Sequence, residues 1–165
     1  MELMPLAELC ARLEDRQRLF LRRGLARLER LICSATPTDS RNRTHLAKLR
    51  KGFAAFREKL TAHLREESEF IFPLIRQLEE CATRKAHARR TLQNRAVRLG
   101  KQHFEADEAI AELRALVANG RASFPVSARV QALRDGLASF ERDLHQQIYE
   151  ENRFLFPRAL AVSRA

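Results

Sequence analysis

A chain of 165 residues, 45% hydrophobic and 32% charged with only five Gly and five Pro, suits one domain over residues 1–165 and excludes a disordered or turn-rich β architecture. No apolar run approaches the roughly 18 residues of a membrane span, and the N-terminal MELMPLAELCARLED has no basic segment leading into an apolar one, so a cytoplasmic protein without a membrane span is expected. The formal net charge of +10 comes mostly from arginines scattered along the chain, which suits an acidic partner or nucleic acid, yet no nucleic-acid motif accompanies it and solvated helix faces account for it.

The first predicted helix spans about residues 3–34, where Leu6, Leu9, Leu13, Phe20, Leu28 and Leu31 recur at helical spacing beside a second row of Leu21, Leu25 and Ile32. Gln17 and Arg18 lie on or beside that face. SATPTDS, residues 34–40, ends it. The second helix, about 42–79, steps through Leu46, Leu49, Phe53, Phe56, Leu60, His63, Glu67, Phe70 and Leu74, so His63 and Glu67 continue an apolar seam inward. Pro73 predicts a bend or interruption, because it lacks an N–H and crowds the preceding turn.

The third helix, about 85–118, carries Leu92, Ala96, Leu99, His103, Ala106, Ile110, Leu113 and Val117 on its seam, which turns His103 inward. RKAHARR at 84–90 is the densest basic cluster, and NGRASFP at 119–125 marks the stop. The fourth helix, about 126–157, runs Val130, Leu133, Leu137, Phe140, Leu144, Gln147, Glu151 and Phe154. Four such helices with short connections predict an all-α, up-down-up-down four-helix bundle. His45, His87 and His145 fall off the seams. Cys10, Cys33 and Cys81 are odd in number, scattered and without metal-ligand spacing.

Helices two and four are copies of one another. HLREESEFIFPLI at 63–75 aligns without a gap on QQIYEENRFLFPRAL 84 residues later, pairing Glu66 and Glu67 with Glu150 and Glu151, Phe72 with Phe156 and Pro73 with Pro157. In that register His63 falls on Gln147. Buried, unpaired carboxylates cost several kcal/mol, so Glu67 and Glu151 require a cation, a proton or hydrogen-bond donors. If helices two and four lie side by side in register, the two glutamates share one layer with His63. Facing Glu and His residues in a bundle core are a common way to build a carboxylate metal site, and this donor set suits iron, manganese or zinc.

The motifs EESEFIFP and EENRFLFPRAL resemble the signature of hemerythrin-like domains of the HHE cation-binding type, and most of all the bacterial di-iron proteins that repair iron–sulfur clusters. QRLFLRRGLARL at 17–28 and FEADEAIAELRAL at 104–116 extend the resemblance to nearly the whole chain. It implies a hemerythrin-like bundle holding two irons through five histidines and two bridging glutamates. His63, Glu67 and Glu151 match that pattern. Gln147, Arg18 and Ala106 stand where the fourth, first and third helices would supply histidines, and the remaining one falls near Arg41. Three of seven ligands argue against the di-iron centre and its chemistry.

The site has two candidate fillings. In one, Arg18, helped by Arg41, pairs with Glu67 and Glu151 in place of the metal, and the domain is a degenerate, non-catalytic binding, sensing or regulatory module with an acidic partner or small ligand. In the other, one iron or other divalent cation is held by His63, Glu67 and Glu151 with His103 as substitute ligand, and the protein serves an oxidative or nitrosative stress response or cluster repair. A third reading is a basic, nucleic-acid-binding helical protein. No glycine-rich phosphate loop and no placed Ser or Cys nucleophile points to hydrolytic catalysis. A histidine reduced to Ala106 leaves space beside the site.

Overall fold

The computed structural model describes residues 4–34, 40–80, 85–119 and 128–162, and every element among them is helical. In the first rod α1 (Leu6–Leu19) runs through a π-helical segment (Phe20–Leu25) into α2 (Ala26–Ser34). The second rod is α3 (Ser40–Glu66), a π segment (Glu67–Ile71) and α4 (Phe72–Glu80). The third is α5 (Lys85–Asn119), and the fourth is α6 (Ala128–Glu150), a π segment (Glu151–Leu155) and α7 (Phe156–Val162).

α1 packs on α4 and α2 on α3, as antiparallel neighbours do, while α5 packs against the second rod on one side and α6 on the other, and α2 closes the ring against α6. This is the expected up-down-up-down bundle. Rods two and four, expected side by side, instead occupy opposite corners, and they pack directly through α4 and α7 at their C-terminal ends. The two glutamates therefore face one another across the core. No described helix is long and apolar enough to cross a membrane.

The expected effect of proline appears as a π-turn. Pro73 and Pro157 cannot donate to the carbonyl four residues back and would crowd it. In both copies the turn before proline is widened: the Phe72 N–H bonds to the Glu67 carbonyl and the Phe156 N–H to the Glu151 carbonyl, five residues back. The extra residue rotates the helix beyond it. Ile71, Ile75 and Leu78 are buried in place of the expected Phe70 and Leu74, and Phe70 is 54% exposed with the Arg95 guanidinium over its ring. In the fourth rod Leu155, Phe156 and Ala159 take the inward positions.

Burial divides into two apolar clusters. One gathers Phe20, Leu28, Phe53, Phe56, Leu137 and Phe140 with their neighbours, the other Leu9, Leu13, Phe72, Ile75, Leu92 and Leu155 with theirs. The first and fourth rods approach closely within the former. Phe20 stacks on Phe140 with centroids 4.1 Å apart, beside Gly24, where a Cβ would come within 3.0 Å of the Phe140 ring. Between the clusters lies a layer of buried polar side chains: Gln17, His63, Glu67, His103, Gln147 and Glu151.

The first glutamate of each copy has a different task from the second. Glu150 is buried and accepts from Arg12 at 2.6 Å, Arg16 at 2.8 Å and Gln146 at 2.7 Å. Burial pushes its carboxyl up, but the Arg16 and Gln146 hydrogen bonds and the arginine charges hold it below the usual range. Glu66 accepts from Arg95 at 3.0 Å and also pairs with Arg98. Each copy is thus tied to a neighbouring rod by an arginine pair, Arg12 and Arg16 on the first, Arg95 and Arg98 on the third. His45, expected on the surface, is half-buried with Nε2 2.6 Å from the Leu116 carbonyl oxygen.

Glu150→Gln should lower the unfolding free energy by about 1–2 kcal/mol, less than a fully buried pair because Arg12 and Arg16 are about a third exposed. Denaturant titration checks this, and an unchanged midpoint would show that the arginines add no register to the rods.

Candidate metal centre

Each rod contributes to the polar layer at a point set by its seam. Glu67 and Glu151 are the first residues of their π segments and wholly buried. His63 lies one turn earlier on the second rod, Gln147 one turn earlier on the fourth, and His103 comes from the middle of α5. Gln17 stands one turn after Leu13 in α1 and is 3% exposed.

The side chains converge. His63 Nε2 lies 3.3 Å from Glu67 Oε1, and His103 Nε2 lies 3.2 Å from Glu151 Oε2 and 3.7 Å from Glu67 Oε1. The two imidazole Nε2 atoms are 3.1 Å apart. One donor atom from each of His63, Glu67, His103 and Glu151 can be chosen so that all lie within 4.8 Å of one another. Gln17 Nε2 donates to Glu67 Oε2 at 2.7 Å and reaches Glu151 Oε1 at 3.4 Å, bridging the carboxylates from the first rod. His63 Nδ1 lies 2.7 Å from Gln102 Oε1, which can only accept. The proton of the neutral ring is thereby held on Nδ1, leaving the Nε2 lone pair aimed at the centre.

Protons are tightly shared in this layer. Burial would raise the Glu67 carboxyl, but the His103 and His63 imidazoles beside it hold it down at about 2. Glu151 is pushed up to about 7 by burial and by the Glu67 charge, against the pull of His103. Burial would lower His103, yet its contacts with Glu151 and Glu67 lift it to about 9, and His63 is raised against burial chiefly by Glu67.

The donors suit a cation. Glu67 Oε1 and Glu151 Oε2 are buried with imidazole nitrogens at 3.2–3.7 Å but no well-formed hydrogen bond, and Gln147 Oε1 is buried without a partner. Ligand bonds of about 2.0–2.2 Å put opposite ligands roughly 4.0–4.4 Å apart, close to the span observed, and two carboxylates balance a divalent charge.

Arg18 does not enter the layer. It points to solvent beside the buried face of α1, 69% exposed, and pairs at 3.2 Å with Asp15. The residue that enters is Gln17, which continues the Leu9, Leu13 step of four. The Arg41 side chain lies outside the described residues, as do Cys81, His87 and most of the basic cluster at 84–90. His103 does reach the glutamates, and Gln147 is buried in the layer. Gln102 gives no signal in the sequence, because it lies beside the α5 seam and no spacing pairs it with a histidine on another rod.

The model of the hemerythrin HHE cation-binding domain matches residues 12–159. An iron-sulfur cluster repair protein YtfE from Edwardsiella ictaluri is 28% identical over 162 residues, covering 94% of this chain and 66% of that protein. The proteins of the same name from Salmonella paratyphi B and Salmonella newport are 28% identical over 168 residues, covering 96% of this chain and 68% of theirs. The chain thus spans about two thirds of the length of these relatives.

Two outcomes are expected for chelator-treated protein. His103 and Glu151 both have folded values above their ordinary ones, so the stability they contribute is present at low pH and is lost as pH rises through about 7 for Glu151 and about 9 for His103. Glu67, held at about 2, acts oppositely, and its contribution is lost as pH falls below 4.5. The melting temperature should therefore peak near pH 4.5 and fall toward pH 9; a flat profile would contradict the shared protons. Arg18→Ala should change stability by no more than about 0.5 kcal/mol in denaturant titration, as for an exposed helix residue.

Proposed function

The chain belongs to the hemerythrin HHE cation-binding domain family, and from that premise we propose that it holds one divalent cation, iron foremost, through His63, Glu67, His103 and Glu151. The observation that carries this reading is the convergence of those four buried side chains on one point, with two carboxylates to balance the charge. Imidazole and carboxylate together suit iron, manganese or zinc. The relatives' name, iron-sulfur cluster repair protein, favours iron among these and favours a role in an iron-linked stress response or cluster repair.

The chain's own residues would prepare the site. Gln102 holds the His63 ring in the ligating tautomer, Gln17 steadies both carboxylates from the side, and the flanking apolar clusters keep bulk water out. The unpartnered Gln147 Oε1 is a candidate neutral fifth donor. When bound, the cation would supply Lewis acidity and, if iron, one-electron chemistry. Amides at Gln17 and Gln147, the latter where the resemblance implies a histidine, limit the site to one ion on this reading.

A second reading has a specific observation behind it. An imidazolium at His103 between Glu67 and Glu151, with the Gln17 amide donating to both, can neutralise the layer without a metal. That version is a non-catalytic binding or sensing module, and metal analysis separates the two.

Protein expressed with iron, manganese and zinc available, and purified without chelator or metal-affinity tag, should contain one metal per chain by mass spectrometry. His63→Ala and Glu67→Gln should each lower metal affinity by at least tenfold to a hundredfold while circular dichroism stays helical. Binding should weaken as pH falls, since the cation displaces protons from the layer. No metal on a well-folded chain would leave the proton-filled module, and near two per chain would overturn the four-ligand set.

A further inference from the structure

Beside the polar layer, between the second and third rods, lies a partly open cavity of about 230 Å³ that includes His63 in its lining. Its apolar walls are Phe56, Leu60, Ala62, Ala106 and Ala109, and its polar lining is His63 and Gln102 with the charged Lys59, Glu66 and Glu105. Ala106 and Ala109 lie three residues apart on one face of α5, so small side chains there hold the space open.

The chemistry of the walls narrows the occupant. An apolar cavity of about 150 Å³ takes up benzene, so this volume accommodates one or two fused rings, and the Phe56 ring offers an edge or face to pack on. An ionic guest finds no free counter-charge. Glu66 is held by Arg95 and Arg98, and Lys59 faces Glu105 at 3.8 Å across the mouth. One hydrogen-bonding group on the guest would find the Gln102 amide, whose oxygen otherwise serves His63 alone at 2.7 Å.

We propose that this cavity is a binding site for a neutral aromatic molecule of one or two fused rings bearing a single N–H or O–H, and that its occupancy is felt at His63 through Gln102. The binding arm stands on the cavity. The coupling arm rests on the single-cation reading.

The chain contains no Trp, so indole can be followed by its own fluorescence. Titrated with chelator-treated protein, indole should bind at submillimolar concentration, and filling the cavity by Ala106→Leu should weaken it at least tenfold. Ala109→Val serves the same purpose if the first variant does not fold. No binding by the native chain up to millimolar indole, or equal binding by the filled variants, would overturn the site. In cobalt-loaded protein, saturating indole should shift the visible absorption bands, and an unchanged spectrum would overturn the coupling. If cobalt does not load, the His63 ring protons followed by NMR decide the coupling instead, and indole binding to the metal-free chain still decides the site.

Discussion

Two carboxylates that face one another in a dry interior must be neutralised together. Glu67 and Glu151 come from opposite corners of the bundle and are fully buried, so neither can turn to water and each feels the other's charge. Everything polar around them is arranged to meet that demand. His63 and His103 approach at 3.2–3.7 Å, Gln17 donates from the first rod, and the nearby arginines pair instead with Glu150 and Glu66. The layer has two ways to reach neutrality, a cation or a set of shared protons, and the same four side chains serve both. Metal and proton therefore compete for one place, with pH and metal supply as the controls.

The bundle and most of this layer are legible in the sequence because both follow from periodicity. The three- and four-residue steps that place Leu60 and Leu144 inward also carry His63, Glu67, Gln147, His103 and Glu151 inward. Where helical counting stops working, the structure departs from it. Phe70 and Leu74 are expected inside, but the π-turn at Glu67–Ile71 adds a residue and substitutes Ile71 and Ile75. In the first rod, the aligned motif points to Arg18 while the seam itself points to Gln17, and burial decides for the seam. The Gln102 contact with His63 joins two rods at a distance no local pattern encodes. The diagonal placement of rods two and four likewise depends on the packing of all four helices.

Membership of the hemerythrin HHE family accounts for the shared framework, and the amides account for this chain's difference from the ligand pattern the resemblance implies. Gln17 and Gln147 occupy the layer without carrying charge. An amide can donate to a carboxylate or offer a carbonyl oxygen to a cation, but it is a poorer metal ligand than imidazole. The donor set is thereby reduced on the first and fourth rods while the carboxylate pair is kept. Ala106 continues the reduction on the third rod, where the space left is a cavity beside His63.

The π-turns bear on how the chain tolerates length changes. Each sits between the metal-layer glutamate and the proline after it, and each acts as one residue spliced into an otherwise regular helix. Deleting a single residue within Glu67–Ile71 would close the turn to an ordinary one and leave Ile71, Ile75 and Leu78 facing the core, whereas forcing all five residues into ordinary helix would rotate α4 by about 100°, sending Ile75 and Leu78 toward solvent and returning Phe70 to the core. The polar layer would keep its angular position, since it precedes the splice. The two ends of the rod thus have independent angular settings, and the glutamate marks the boundary at which one gives way to the other.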